Sequence, residues 1–466
     1  MRNKAYWITK VQSILVRRAK LDKQTWLRIF KRLIRDIQTH GDELENPAGT
    51  TARGDWDPRE PLIWGYCVLQ SMPQTVRQEY RRLKEHAADG TGIEDSVHEL
   101  RMRRYRFQGL PEAIELQLRW LATLVRALDQ DIAQLDLCFW ERGDLGEQWS
   151  PTAWQVPDYP CYLIPVDRSH RLRDGKPAER RSLRHHAIVP TRIGEYEVRL
   201  TLHPDVGLRE PGPAARAHRC GAAIFAGLEL SAVTSEVGFL VDGVHCPRQW
   251  EQLTGHLDRA RSDACDVLMW PELAVPADMA ERLAAKLAGE ALAADTKIPV
   301  IVAGSWHVPC PKGSRTWANR TVVLDGRGVV LFRYDKRMKF EYRSLPEAIE
   351  PGTSLQILVT DDQLIAIGIC LDFCDDCESH VYQALDVDLI LVPSMEYRNT
   401  ADAHARHART LQTLHETYVF VVQQAPVERG SVRRAGEPPG FSFVLPESAT
   451  APAASQDEPY RFLTGR

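Results

Sequence analysis

The chain has 466 residues, more than one ordinary domain of ~100–200 residues holds, so about two or three units are expected. Apolar residues make up 44% and charged residues 26%, the balance of a globular protein rather than a disordered one. The net charge of −4 gives no global pull toward nucleic acid or anionic membrane, and no apolar run reaches the ~18 residues of a membrane-spanning helix.

The basic N-terminus is not followed by an apolar segment, so it does not read as a secretory signal. Ten cysteines are scattered without a framework spacing. Together these features predict reduced thiols and a cytoplasmic location, with no membrane association. The first ~35 residues interleave Lys10, Arg17, Arg28, Lys31 and Arg35 with Trp7, Val11, Ile14, Leu15, Trp26, Ile29, Phe30 and Leu33. That is the period of amphipathic helices. A basic helical face could bind nucleic acid, a membrane surface or a protein partner, but such faces are more often the solvated side of a bundle.

A turn-rich stretch spans roughly 44–60. Helical spacing resumes near Leu62–His86 and again near Pro111–Leu137, where Leu116, Leu118, Leu121, Leu124, Val125 and Leu128 form an apolar stripe. Pro111 suits a first helical position. After Trp149 the texture becomes β-rich, in Cys161–Val166 and Tyr196–Leu202, with a basic loop at roughly 168–186 between them. Residues 204–217 carry Pro204, Gly207, Pro211, Gly212 and Pro213 and read as a linker. The expected division is therefore 1–150, mainly helical; 151–217, a β-rich segment and linker; and 218–466, a third unit.

In that third unit, strands are expected at Ala222–Leu230, Val267–Trp270, Pro299–Ala303, Leu364–Ile369, Leu389–Val392 and Val419–Gln423. Thr321–Leu324 and Val329–Tyr334 flank Asp325-Gly326-Arg327-Gly328, a hairpin turn. Helical spacing falls between the strands: Trp250, Leu253, Leu257 and Ala260; Leu283 and Leu287; Val381–Leu385; and Ala403–Tyr418. Strands alternating with helices, plus hairpins, make an α/β layered domain.

Three chemically capable residues close strands there, where α/β folds place their sites: Glu272 in Trp-Pro-Glu-Leu, Lys336 in Arg-Tyr-Asp-Lys, and Cys370 in Gly-Ile-Cys-Leu-Asp. Alone, each has a bland reading, and a cysteine after an apolar strand is usually core. Their order and context resemble the carbon–nitrogen hydrolase (nitrilase) superfamily over roughly residues 220–445. Asn319 to Lys336 is similar to that family's asparagine, hairpin and lysine segment. Asp388–Ser394 is similar to its strand after the nucleophile helix, and Ala408–Gln423 to its next helix and strand.

The resemblance implies an α-β-β-α layered domain that hydrolyses a non-peptide carbon–nitrogen bond in a small amide, nitrile or carbamoyl compound. Cys370 would be the nucleophile, Glu272 the general base and acid, and Lys336 with the Leu371 N–H the oxyanion donors. No metal or organic cofactor is required. The family also has a second glutamate between lysine and cysteine. Glu341, Glu347 and Glu350 are candidates; Glu347 is chosen because it follows Pro346 and sits about where the family glutamate falls relative to Pro351-Gly352.

The sequence departs from the family at Leu371, where an aromatic or acidic residue is common, and at Cys374-Asp375-Asp376, where Phe-Pro-Glu is often found. Alternatives are an acyltransferase, a partner- or nucleic-acid-directed module, a catalytically silent binding protein, or a zinc site at Cys370, Cys374, Cys377 and His380. The zinc reading lacks the usual paired Cys-x-x-Cys knuckles. Homo-oligomerisation and the role of residues 1–215 stay open.

Overall fold

The structure, a computed structural model, describes residues 2–17, 21–40, 59–83, 92–102, 112–140, 151–166, 183–204, 218–291, 298–310, 316–342, 344–360, 363–374, 381–396, 398–427, 439–445 and 459–465. The stretch at 44–58, most of the basic loop at 168–186 and nearly all of the linker at 204–217 lie outside the described residues, as do Pro111, Cys377 and His380. Contacts divide the chain into two compact units, essentially 1–198 and 199–466. Residues 151–198 group with the helices that precede them. Among the described residues no helix is long and apolar enough to cross a membrane.

The first unit contains α1 (Arg2–Val11), α2 (Lys23–His40), α3 (Arg59–Gln70), α4 (Gln74–Tyr80), α5 (Ile93–Met102), α6 (Ile114–Trp140) and α7 (Pro151–Trp154). Strands β1 (Cys161–Pro165), β2 (His186–Pro190), β3 (Arg192–Ile193) and β4 (Tyr196–Leu202) follow. The apolar stripe of the first ~35 residues is buried in one core, while Lys23, Arg28, Lys31 and Arg35 face solvent. Three buried tryptophans each find a partner for the indole N–H, as burial demands. Trp7 donates to Asp36 Oδ2 at 2.8 Å, Trp26 to the Val68 carbonyl at 2.9 Å and Trp64 to the Tyr159 hydroxyl at 2.9 Å.

The helical spacing expected at Leu62–His86 is carried by two helices, α3 and α4. Pro73 takes an extended conformation and starts α4, because its ring cannot continue α3. Leu116 is not in the core stripe; it is 44% exposed, while Leu118, Leu121, Leu124, Val125 and Leu128 are buried.

The second unit begins with β5 (His218–Ala223), β6 (Glu229–Ser235), β7 (Gly238–His245), α8 (Gln249–Ser262), β8 (Val267–Met269), α9 (Ala277–Glu290), β9 (Val300–Val302) and β10 (Trp306–Pro309). It continues with β11 (Trp317–Leu324), β12 (Val330–Asp335), β13 (Glu341–Tyr342), β14 (Leu345–Pro346), β15 (Ser354–Val359), β16 (Leu364–Ile367), α10 (Leu371–Cys374) and α11 (Val381–Ala384). It ends with β17 (Leu389–Met395), α12 (Arg398–His415), β18 (Tyr418–Gln424), β19 (Gly440–Leu445) and β20 (Tyr460–Gly465). The single strand expected at Ala222–Leu230 is two strands. Between them, Phe225 and Ala226 give their N–H groups to Gln424 and Gln252 side chains, and Gly227 turns the chain at φ +71°.

One sheet runs β10-β11-β9-β8-β5-β20, with β12 on β11. The other runs β19-β18-β17-β16-β15 and then β4, the strand on which the chain passes from the first unit to the second. Alternation along the strands sorts the side chains. Cys220, Ala222, Val267, Met269, Val300 and Val302 from the first sheet share a core with Ile365, Ile367, Leu389, Leu391, Phe420 and Val422 from the second. The opposite face of the first sheet, with Leu268, Trp270 and Ile301, is covered by Leu253 and Leu257 of α8 and Leu283 and Leu287 of α9. Helix α12 packs on β18 and β19. The expected α-β-β-α layering is therefore present in the C-terminal half.

Strands β5, β8 and β9 are mutually parallel, as are β16, β17 and β18. The C-terminal ends of β8, β16 and β17 carry Glu272, Cys370 and Met395. Gly304 holds the first of these ends in place. It sits at φ +55° beneath the Pro271 carbonyl, where a side chain would collide. Its neighbour Ser305 accepts the Leu273 N–H at 3.2 Å, and its own carbonyl accepts the Thr321 hydroxyl. Gly304→Ala is expected to cost about 1–3 kcal/mol through crowding and the left-handed backbone. Urea denaturation checks this; wild-type stability in the variant would show that the turn tolerates displacement.

Candidate active site

Lys336 follows β12, where its N–H bonds the Asn319 carbonyl at 2.8 Å and its own carbonyl accepts the Gly352 N–H at 2.9 Å. Its side chain is buried. Nζ donates to Glu272 Oε1 and to Glu347 Oε2, both at 2.8 Å. Asn319 Nδ2 donates to the same pair, to Glu272 Oε1 and Glu347 Oε1, both at 2.9 Å. Glu272 also accepts the Met395 N–H at 3.0 Å, and Glu347 accepts the Phe340 N–H at 3.1 Å and a His307 ring nitrogen at 2.8 Å. Glu341 and Glu350 are exposed. Of the three glutamates between lysine and cysteine, Glu347 is the one whose carboxylate meets Lys336.

Cys370 lies two residues beyond Gly368, along the line of β16. Gly368 donates to the Leu391 carbonyl and Cys370 to the Pro393 carbonyl, both at 3.0 Å, so the chain stays zipped to β17 up to the cysteine. There it turns sharply, with φ +48° at Cys370, and enters α10. A non-glycine residue in the left-handed region costs of the order of 1–3 kcal/mol and persists only where its surroundings hold it. Leu273, directly after Glu272, is likewise at φ +52°. Two strained turns thus flank one cluster.

Asp372 is the clamp that joins the two sides. Its Oδ1 accepts the N–H groups of Arg337 and Met338 at 2.9 and 2.8 Å, just after Lys336. Its Oδ2 accepts the Tyr334 hydroxyl at 2.6 Å and the Ile369 N–H at 3.2 Å, just before Cys370. One buried carboxylate therefore fixes the lysine strand against the cysteine turn. His404 of α12 lies within 3.2 Å of the Cys370 carbonyl. Burial holds that imidazole down to about 4, so at neutral pH it is an uncharged donor to the main chain and not a partner of the thiol.

The charges divide unequally. Burial alone would neutralise Lys336, but Glu272 and Glu347 outweigh it and hold the ammonium well above its ordinary range. Burial also pushes Glu347 up, yet Lys336 and His307 more than compensate, and it falls to about 2. Glu272 goes the other way: burial raises it, Lys336 only partly offsets this, and the nearby Glu347 charge raises it again. The Cys370 thiol is pushed well above its usual range by burial and by the Glu272 carboxylate, with Lys336 opposing. Lys336 and Glu347 are thus held charged and the thiol neutral, while Glu272 is the carboxyl whose affinity for protons is raised.

All four residues expected from sequence are brought together: Glu272, Lys336, Glu347 and Cys370. His307, Asp372 and the bonding role of Asn319 were missed. Asn319 and Asp372 stood inside quoted motifs, whereas a lone histidine in Ser-Trp-His-Val carries no signal. Among the described residues no group of three His, Cys, Asp or Glu side chains is arranged to hold a metal ion.

No family model and no curated protein matches this chain. Solved structures do. An amidase from Nesterenkonia sp. is 18% identical over 55% of this chain and 93% of its own, with a TM-score of 0.37. A CN-hydrolase superfamily protein from Xanthomonas campestris, with an arsenic adduct in its active site, is 15% identical over 54% of this chain and 91% of its own, with a TM-score of 0.36. The glutamine-dependent NAD+ synthetase from Acinetobacter baumannii is 19% identical over 53% of this chain but only 45% of its own, with a TM-score of 0.37.

Removing the cation exposes what it holds. Lys336→Met leaves two buried carboxylates facing each other, a loss of about 3–5 kcal/mol at neutral pH. Both carboxyls would then have raised folded-state pKa values. Their favourable contribution is present below the unfolded value of about 4.3 and is lost as pH rises. The variant should therefore recover stability relative to wild type on acidification, as read by urea midpoints across pH. A deficit that does not shrink on acidification would contradict this electrostatic account.

Proposed function

We propose that this protein hydrolyses a non-peptide carbon–nitrogen bond of a small amide, nitrile or carbamoyl compound through a thioester on Cys370. The observation that carries the reading is Lys336 bridging Glu272 and Glu347 beside a cysteine held at a strained turn. A thiol pushed above its usual range cannot ionise spontaneously at neutral pH. It needs a base that takes its proton as the bond forms. Glu272, with its affinity for protons raised and the thiol against it, is built for that transfer.

For an amide, Cys370 Sγ attacks the carbonyl carbon while its proton passes to Glu272. Lys336 Nζ and the Leu371 N–H, the first of α10 and so without an intrahelical acceptor, stabilise the oxyanion. The carbon–nitrogen bond then breaks as Glu272 returns the proton to the leaving amine. Water attacks the thioester, gives its proton to Glu272, and the departing sulfur recovers it. Glu347 stays ionised throughout and keeps Lys336 charged.

The test is a screen of amides, nitriles and carbamoyl compounds for ammonia release. Cys370→Ala should abolish turnover with an unchanged melting temperature, because alanine keeps the same backbone turn. Intact mass of the wild-type protein caught during turnover should show an acyl adduct on Cys370. Undiminished ammonia release by the alanine variant would refute the proposal.

A further inference from the structure

His307 is buried on β10, paired with Asn319 of β11. Both ring nitrogens are engaged. Nδ1 lies 2.8 Å from the Val241 nitrogen and 3.3 Å from the Val241 oxygen on β7. Nε2 lies 2.8 Å from Glu347 Oε1. An N–H can only donate, so in the neutral ring the Val241 amide assigns the lone pair to Nδ1 and the hydrogen to Nε2. That hydrogen is directed at Glu347 by the fold of a separate hairpin.

The two carboxylates on Lys336 are distinguished by their remaining partners. Glu347 accepts from four donors: His307, Asn319, Lys336 and the Phe340 N–H. Glu272 accepts from Asn319, Lys336 and the Met395 N–H, and its remaining partner is the Cys370 thiol. Donors stabilise the ionised form, so as pH falls the first proton settles on the poorer-served carboxyl. Where Glu347 has the His307 N–H, Glu272 has the Cys370 S–H, a weak donor. Among the charged groups around this pair, Lys336 comes from the end of β12 and Glu272 from beyond β8. Arg320 of β11 is on the other face of the strand, paired with Asp335, and Glu341 and Glu350 on the Glu347 segment are exposed.

We propose that His307 is a positioning residue of the reactive centre, holding Glu347 as the fixed counter-anion of Lys336 so that Glu272 alone exchanges the proton of the reaction. This rests on the hydrolase reading above and adds to it a residue that touches neither substrate nor thiol. Without the His307 donor Glu347 loses the bond that sets it apart from Glu272. Protons then enter the centre at higher pH, and Glu272, left with more of the Lys336 charge, is a weaker base for Cys370.

The test uses the full chain and iodoacetamide, with alkylation followed at the Cys370-containing peptide by mass spectrometry across pH. His307→Leu removes the donor. His307→Asn keeps a polar group near Nδ1 for Val241 but does not reach Glu347. His307→Gln places an amide N–H near the Nε2 position. Both loss-of-donor variants should move the acid limb of alkylation upward by about one pH unit, a tenfold slowing within the limb, and the glutamine variant should restore the wild-type profile. The asparagine variant carries the comparison by itself if the leucine variant does not fold. An unshifted limb in His307→Asn, or a glutamine variant as impaired as the asparagine one, would overturn the proposal. Failure of the hydrolase reading appears separately, as no ammonia release by the wild-type protein, and leaves the alkylation comparison interpretable.

Discussion

A single ammonium group buried between two carboxylates governs this centre. Taking Lys336 out of water is costly, and its attraction to Glu272 and Glu347 compensates only because both contacts are short and the other oxygens are also bonded. Such an arrangement has no slack. The same low-dielectric setting that strengthens each bond penalises any partner that drifts. Bonds from Asn319, His307, Phe340 and Met395 accordingly cross-link distant segments at this one point.

That cross-linking explains how a cysteine can sit in strained backbone. The turn at Cys370 is held from behind by the β17 carbonyls, from the side by Asp372 and at its carbonyl by His404. Asp372 simultaneously holds the main chain leaving Lys336. Charge and geometry are thus set by different residues. Asn319, Glu347 and His307 fix who is ionised, whereas Asp372, Gly304 and the two sheet edges fix where the groups stand. In the proposed reaction, this separation keeps the thiol neutral until its proton is taken up as it attacks.

The elements at strand ends were legible because each pairs a short apolar run with a polar residue that such a run does not need. The β11–β12 hairpin was visible from Asp325-Gly326-Arg327-Gly328, and it delivers Asn319 and Lys336 in the register the bonds require. In sequence Glu347 was separable from Glu341 and Glu350 only by Pro346 before it and by the place of the family glutamate relative to Pro351-Gly352; burial is what distinguishes it in space. His307 was illegible because its role depends on two partners, Val241 and Glu347, that are distant in sequence. The break at Pro73 was readable in principle, since proline cannot extend α3. In the first unit the buried tryptophans account for the fold without announcing a reaction.

The account stands on which carboxyl takes up a proton first as pH falls. Glutamate side-chain carboxyls labelled with carbon-13 and followed by NMR through a pH titration report this directly, with Glu272→Gln and Glu347→Gln assigning the signals. The predicted result is one buried carboxyl titrating above the ordinary value of about 4.3, absent in Glu272→Gln, while the Glu347 signal stays ionised to the lowest pH at which the protein is folded. A Glu347 signal that titrates above that value while Glu272 remains ionised would contradict it.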